Sequence, residues 1–349
     1  MKAPSSRRIV TVAVTVLILL VLVVAGTRVQ VPFVALGPGP TVNTLGTIDD
    51  NGREVPVVEI TGTQVDKTDG HLNLTTVGVS DGLSLFQAIG MWMSGTYSVQ
   101  PRETVYPPGQ TTEQTRQQNL DQMSNSESTA TAAALRFLQR PTALVAAYVE
   151  PSGPAGKVLK TGDVIVSVDG KAVTTAEDVR TTIAKLHPDQ QIPVAIVREG
   201  TAQTVTVTTG TRPGTTDVAY LGVTPEVRSA DPNVQIDYHV GDIGGPSAGL
   251  MLSLSVVDQL STGSLTRGKF IAGTGTISDT GEVGPIGGVT HKTRAARDNG
   301  ATVFLVPADN CAEADSDAPD GLQLVKVTSL QSAVDALDAI GEGRDAPHC

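Results

Sequence analysis

Two words in this chain bring together residue types that can perform acyl transfer. Gly244-Gly245-Pro246-Ser247-Ala248-Gly249-Leu250 sets one hydroxyl among small residues, and Pro285-Ile286-Gly287-Gly288-Val289-Thr290-His291-Lys292 supplies an amine after a glycine pair. A serine hydroxyl attacks a carbonyl only when a base takes its proton, and lysine is such a base only when neutral. Free lysine titrates near pH ~10.4, so a working base needs a shift of roughly 3 units, about 4 kcal/mol of destabilised charge. Apolar and glycine-rich walls of the kind that flank both residues supply it by withholding water from the ammonium.

The elements that must hold such a pair are legible around them. Leu250, Leu252, Leu254, Val256, Val257 and Leu260 follow Ser247 as a mostly buried helix. The free N–H groups at its start point back toward the hydroxyl and favour a developing oxyanion there. Phe270 to Gly275 reads as a strand, Asp279-Thr280-Gly281 as a turn, and Gly287-Gly288 as a tight bend into a second helix that ends at Asn299-Gly300. Other readings compete. A serine at a helix start is often only a cap. Gly245-x-Ser247-x-Gly249 also satisfies the nucleophile-elbow pattern of α/β-hydrolases, an esterase reading in which His291 or His348 would follow as base, although the strand-rich half expected before the serine is missing. Gly263-Ser264-Leu265-Thr266-Arg267-Gly268-Lys269-Phe270 imitates a phosphate-binding loop. It follows a helix instead of a strand, however, and has Phe270 where the Mg²⁺-binding hydroxyl belongs, so nucleotide binding is not expected.

Taken together, the two words resemble the proteolytic domain of Lon-type proteases, whose hallmark is a Ser-Lys dyad on a GPSAG helix start and a PIGG-x-x-x-K segment. The resemblance implies Ser247 as nucleophile and Lys292 as base, with Gly245, Pro246 and Thr274 in supporting roles. The amides of Ser247 and its neighbours would hold the oxyanion, and Thr274, in the Thr-Gly pair before the hairpin, would orient Lys292. Where the family often carries acids, just after that Thr-Gly pair and just before Gly-Pro-Ser, this chain has Thr276 and Gly244. Lon proteases couple proteolysis to an ATPase module. None is found here, so cleavage without ATP and without a cofactor is expected. The family's habit of forming rings implies a homo-oligomer.

Composition bounds the remaining classes. The 349 residues allow two or three modest domains, and 40% hydrophobic content suffices for packed cores. A net charge of −11 and only 3% aromatic residues argue against nucleic-acid partners. The histidines at 71, 187, 239, 291 and 348 are dispersed, and no metal-binding motif appears. Ile9 to Gly26 is an apolar run interrupted only by Thr11 and Thr15, long enough to span a bilayer, preceded by Lys2, Arg7 and Arg8. The positive-inside tendency keeps those charges cytoplasmic and places the rest outside. A cleaved signal peptide, with Val23-Val24-Ala25 as a weak site, is the other reading; the run exceeds the usual signal length and favours an anchor. Cys311 and Cys349 would pair in an oxidising compartment, or remain two free thiols.

Between anchor and proteolytic domain, Val34 to Thr41, Val55 to Ile60 and His71 to Val77 suggest a small β-rich juxtamembrane unit. Ser98 to Thr129 is polar and reads as a mobile loop with helical patches, followed by a short helix from Ala130 to Leu138. Then Ala143 to Val149 is extended, Pro151-Ser152-Gly153-Pro154-Ala155 and Gly162-Asp163-Val164-Ile165 follow, Asp169-Gly170 turns, and Thr175-Ala176-Glu177-Asp178 caps a helix to about Leu186. A hairpin of Ile192 to Arg198 with Thr204 to Thr208 completes the series. It resembles a bacterial PDZ domain, a fold that takes an extended peptide as an added strand. Ala143 to Val149 and Val179 to Leu186 are the expected groove walls, and a PDZ used only for packing is the alternative.

The order of parts resembles the YlbL-like family of membrane-anchored bacterial proteases. The expected fold is α+β and multidomain: 1–8 cytoplasmic tail, 9–26 transmembrane anchor, 27–125 juxtamembrane β-rich region with a polar mobile loop, 126–212 PDZ domain, 213–349 Lon-type proteolytic domain. The expected function is an ATP-independent serine endopeptidase outside the cytoplasmic membrane, with protein or peptide substrates at the PDZ groove, the lipid bilayer as a partner, and no nucleic acid. A proteolytically silent PDZ scaffold remains the alternative of a different class.

Overall fold

The computed structural model describes residues 6–50 and 52–349, so most of the tail expected at 1–8, Lys2 included, lies outside the described residues. The N-terminal part runs α1 (Ser6–Arg28), β1 (Phe33–Asn43), β2 (Thr47–Asp50), β3 (Arg53–Pro56), β4 (Val58–Thr61), β5 (His71–Ser80), α2 (Leu85–Met93), β6 (Ser98–Pro101) and α3 (Thr112–Phe137). The middle comprises β7 (Thr142–Val149), β8 (Val164–Val168), β9 (Lys171–Ala172), α4 (Ala176–Ile183), β10 (Gln191–Arg198), β11 (Thr201–Thr208), β12 (Gly210–Thr211), β13 (Ala219–Tyr220) and β14 (Val223–Ser229). The C-terminal part adds β15 (Gln235–Tyr238), α5 (Gly249–Leu260), β16 (Phe270–Gly273), β17 (Thr276–Ile277), β18 (Val283–Gly284), α6 (Val289–Asp298), β19 (Val303–Pro307), α7 (Cys311–Asp315), β20 (Gln323–Val327) and α8 (Leu330–Gly341).

A mixed six-stranded sheet in the order β20-β19-β16-β5-β1-β6 joins the two ends of the chain. Strands β20, β19, β16 and β5 are parallel, with Ile271 opposite Leu72 on one side and Val303 on the other, and β1 and β6 close the sheet antiparallel. Side chains of β16 and β19 alternate as a two-residue period requires. Ile271, Val303 and Leu305 face a core shared with α3, α5 and α8, whereas Ala272, Phe304 and Val306 face a second core with α6 and α7. The site therefore forms in a three-layer body whose middle layer is this sheet.

The segment 27–125, expected as a separate juxtamembrane unit, instead supplies three strands of that sheet. Sequence pattern could not show this, because His71 pairs with Phe270 across some two hundred residues. The polar stretch expected as a mobile loop is mostly helix: α3 is one 26-residue helix opened by a Thr111–Gln114 capping box. Its Thr115, Met123, Ser126, Ala130 to Ala134 and Leu135 are buried, so small and polar residues here pack against α5. The short helix expected at Ala130 to Leu138 is its last part.

The middle sheet has the order β11-β10-β8-β7-β14. Its core includes Leu144, Ile165, Val179, Ile192 and Ile196. Asp163 of the Gly-Asp-Val-Ile word is buried, and Arg198 reaches it with two hydrogen bonds of 2.7 and 2.6 Å. The expected groove wall at Ala143 to Val149 is corrected. β7 is an interior strand, because Val223–Ser229 pairs along it from Val223↔Val149 to Ser229↔Thr142. The edge strand that packs beside α4 is β14. Helix α4 ends at Ile183, short of Leu186.

Helix α1 leaves the body with its apolar side chains exposed, and Val10–Arg28 is long and apolar enough to cross a membrane by length and composition, with a mean hydropathy of 2.8. Cys311 and Cys349 are joined as a disulfide with Cα atoms 4.9 Å apart, which ties the C-terminal tail to the start of α7.

Candidate active site

Ser247 lies in the turn just before α5, Thr274 immediately after β16, and Lys292 in the first turn of α6. All three thus converge at the carboxyl end of a parallel strand, where backbones diverge and leave room for a ligand. Glycines permit this convergence. A Cβ on Gly249 would lie 2.8 Å from Ile277 Cγ2 and one on Gly275 3.0 Å from Val283 Cγ1, so α5 approaches the β17–β18 hairpin as closely as backbone allows. Gly288 adopts φ +67°, the left-handed conformation that turns the chain into α6, with no room for a Cβ beside Val77.

Lys292 Nζ is 2.7 Å from Ser247 Oγ and donates a 3.0 Å hydrogen bond to Thr274 Oγ1. The Thr274 hydroxyl in turn donates to the Ser247 carbonyl at 3.2 Å, and that carbonyl also accepts from Gly275 N at 3.0 Å. Thr274 is fully buried and Lys292 only 3% exposed. Burial pushes the Lys292 amine down to about 8. No carboxylate forms an ion pair with it among the described residues. The substitution of acids by Thr276 and Gly244 fits this, because a neighbouring carboxylate would hold the ammonium charged. The backbone N–H groups of Ser247 and Ala248 donate to no protein acceptor among the described residues.

These groups open onto a cleft of about 700 Å³, lined by Pro40 and Val42 of β1, Leu74 to Val77 of β5, the 240–248 loop and Pro285 to Gly287. Two residues that sequence reasoning did not single out position its walls. Asn119 of α3 accepts a 2.8 Å hydrogen bond from Gly245 N at its carbonyl, and a Cβ on Gly244 would meet its Cβ at 2.7 Å, so α3 fixes the small-residue loop. Asn310 accepts from Ile286 N and donates to Ile286 O, both at 2.9 Å, which clamps the segment leading to Lys292. The Thr111-x-x-Gln114 capping box, with neither glycine nor proline from Thr111 to Arg140, is the signal that would have revealed α3.

Of the supporting residues, Gly245 adopts φ +98° at the turn and Pro246 lines the cleft. His291, the base of the esterase reading, points elsewhere: its Nε2 is 2.9 Å from Ser98 Oγ on β6, and no hydrogen bond joins it to Ser247 among the described residues. The phosphate-loop imitation is a connection between α5 and β16, and its Gly263 and Gly268 amides donate to the carboxylates of Asp66 and Asp69. Acidic side chains thus occupy the donors that an anion would need.

Comparison with known proteins follows this division. Residues 116–209 match the family model for the PDZ domain, and residues 226–339 match that for the Lon protease (S16) C-terminal proteolytic domain. The chain is 36% identical over 129 residues to the Lon protease of Methylocella silvestris, covering 37% of this chain and 16% of that protein. It is 30% identical over 112 residues to Lon protease 2 of Bacillus subtilis, covering 32% and 20% respectively. It is also 39% identical over 77 residues to a probable periplasmic serine endoprotease DegP-like of Pseudomonas fulva, covering 22% and 16%. The chain thus spans at most 20% of the length of these relatives. A solved PDZ domain of the SdrC-like protein from Listeria monocytogenes aligns with 24% of this chain and 86% of its own length, at 18% identity and a TM-score of 0.22. By the two family matches, the chain carries a PDZ domain followed by a proteolytic domain of the Lon type.

Proposed function

We propose that this protein is a membrane-anchored serine endopeptidase that works without ATP, with Ser247 as nucleophile and Lys292 as general base. The observation that carries the reading is the 2.7 Å approach of a buried amine, with no carboxylate paired to it among the described residues, to a hydroxyl that opens onto a mostly apolar cleft. A neutral Lys292 has one lone pair and two N–H bonds. Thr274 takes one N–H, which leaves the lone pair for the Ser247 hydroxyl.

Ser247 Oγ passes its proton to Lys292 Nζ as it bonds to the substrate carbonyl carbon, and the carbonyl oxygen becomes an oxyanion. The Ser247 and Ala248 amides at the start of α5 face that charge. Lys292 then gives the proton to the departing amine, which breaks the peptide bond and leaves an acyl-enzyme. Water attacks the ester with Lys292 again as base, releasing the acid and restoring Ser247.

Helix α1 serves as the anchor, with Arg7 and Arg8 on the cytoplasmic side and the body outside. A disulfide between Cys311 and Cys349 suits an oxidising compartment, and a relative's description as periplasmic is in keeping. The PDZ domain receives an extended peptide along β14 on the side of α4, presenting protein substrates. Self-association belongs to the same proposal through the Lon resemblance. The test is cleavage of an unfolded protein by the full chain in vesicles without ATP. Cleavage by wild type, lost in Ser247→Ala and in Lys292→Ala, supports the reading, and equal cleavage by Ser247→Ala refutes it.

A further inference from the structure

Helix α2 is apolar on the side that the protein does not cover. Its sequence, Leu-Phe-Gln-Ala-Ile-Gly-Met-Trp-Met, has no charged side chain, and its one polar residue, Gln87, is used in the capping box with Ser84. Ala88 and Met91 face inward onto Ala35, Leu83, Tyr97 and Val99. Leu85, Phe86, Ile89, Trp92 and Met93, one face at helical spacing, are 44%, 46%, 40%, 68% and 74% exposed. A helix apolar all round belongs in a core or in lipid, and a contiguous exposed patch of this kind marks an interaction surface.

The position of α2 identifies what covers that patch. Helix α2 packs on the last turn of α1: a Cβ on Gly26 would lie 2.5 Å from the Phe86 ring. The connection is pinned by Val31 N donating to Leu83 O at 2.9 Å and by a bridge between Gln30 and Ser84. The apolar stretch Val10–Arg28 is 19 residues, about 28 Å of helix, close to the thickness of a bilayer's hydrocarbon core. Phe86 therefore sits level with the end of that stretch, and the apolar face of α2 continues the apolar surface of α1. Trp92, in the last turn of α2, is of the residue type favoured at a membrane interface.

We propose that α2 is an interfacial helix, lying in the headgroup–acyl boundary of the bilayer with Phe86, Ile89, Trp92 and Met93 among the acyl chains. This rests on the reading of α1 as a membrane anchor and adds a second attachment, which fixes the orientation of the body. One consequence concerns the cleft. Strand β1 begins beside α2 at Phe33 and reaches the cleft wall at Pro40, so the cleft wall lies within about 25 Å of the membrane end of the body. The seated body cuts close to the bilayer surface.

Trp92 is the chain's one tryptophan, so its emission reports α2 alone. The full chain is reconstituted in phosphatidylcholine vesicles brominated either near the headgroup end or near the methyl end of the acyl chains. Flotation after an alkaline wash reads the anchor separately. The expected result is a blue-shifted emission, a larger intensity loss with shallow bromines than with deep ones, and protection from aqueous iodide. The Ile89→Asp/Met93→Asp double variant should still float and still cleave, yet lose most of the bromine quenching. Quenching by iodide but not by bromine overturns the proposal, as does stronger quenching by deep bromines. Protection from both quenchers also overturns it, in favour of a second copy of the chain covering the patch. Unchanged bromine quenching in the double variant does the same. A chain that floats with Trp92 in water sinks the interfacial helix and leaves the anchor standing, whereas a chain that fails to float removes both.

Discussion

The amine of Lys292, pushed down to about 8 by burial, ties activity and stability to the same proton. With that value, about 0.1 of the lysine is neutral at pH 7, about 0.5 at pH 8 and about 0.9 at pH 9, against roughly 0.0004 at pH 7 for a free lysine. The kcat/KM for an unfolded protein substrate, which reports the free enzyme, should rise about fivefold from pH 7 to 8 and less than twofold from pH 8 to 9. The displacement from 10.5 to about 8 also destabilises the fold at neutral pH by about 3 kcal/mol, because a charge must be kept in a site that is 3% exposed. Between the folded value near 8 and the unfolded value near ~10.4, the unfolded chain holds a proton that the folded one has released, so stability rises with pH across that window. Lys292→Met should be inactive and yet more stable than wild type by up to about 3 kcal/mol at pH 7, a gain that shrinks above pH 8 and is nearly gone by ~10.5. Denaturant unfolding of both proteins across this pH range, beside the activity profile, makes the check. A flat activity profile from pH 6 to 9, or a Met variant whose extra stability does not depend on pH, refutes the reasoning.

Thr274→Val removes the acceptor for Lys292 and the donor to the Ser247 carbonyl, about 1–3 kcal/mol, and should lower kcat by roughly 10- to 100-fold with KM kept. Thr274→Ser should restore most of it, and an unchanged kcat in the Val variant would remove Thr274 from the site. Cys349→Ser opens a closure over a sequence separation of 38 and should cost up to about 4 kcal/mol in denaturant unfolding, with wild type losing the same on reduction; a midpoint indifferent to reductant counts against the disulfide. Arg198→Ala strands Asp163, which burial would raise but the Arg198 hydrogen bonds hold below the usual carboxylate range. The loss of about 3–5 kcal/mol should appear as faster hydrogen exchange confined to β7–β11, and protection equal to wild type there would contradict it.

Residues whose chemistry is local in sequence were legible; those placed by distant pairing were not. Ser247 and Lys292 stand in words of small residues that leave few other structures open, and the helices after both follow from apolar spacing and the Asn299-Gly300 stop. Thr274 came only from the Lon resemblance, through the Thr-Gly pair before the hairpin. The cleft wall opposite Ser247 comes from β1 and β5, and nothing in Val34 to Thr41 or His71 to Val77 announces that Ile271 will pair beside Leu72. Helix α3 was hidden by its polar composition, because its buried face is built mostly of alanine, serine and threonine, with only Met123 and Leu135 as large apolar residues, too few for an apolar periodicity to read. The groove wall was misassigned for a related reason. Ala143 to Val149 has the composition of an edge or an interior strand alike, and only the later addition of Val223–Ser229 decides between them.

That later strand changes how the two domains relate. The PDZ sheet lies between α3, which packs on α5 and α8, and β15, which pairs with β4, so it is held at two ends. At the entrance, α3 packs on α5, carries Asn119 against Gly245, and offers Ser128 Oγ to Val227 N of β14 at 3.2 Å. At the exit, β14 runs through Ala230 to Val234 into β15, which pairs with β4 from Gln235↔Thr61 to Tyr238↔Val58, and the chain then enters the 240–248 loop. One covalent connection of the PDZ sheet therefore leads into the loop that holds Ser247, and the other, α3, braces that loop through Asn119. Under the proposed mode of binding, a peptide added along β14 loads the strand that leads to this loop and that rests on the helix bracing it. The PDZ edge and the nucleophile are mechanically adjacent, although a reading by linear domains would separate them.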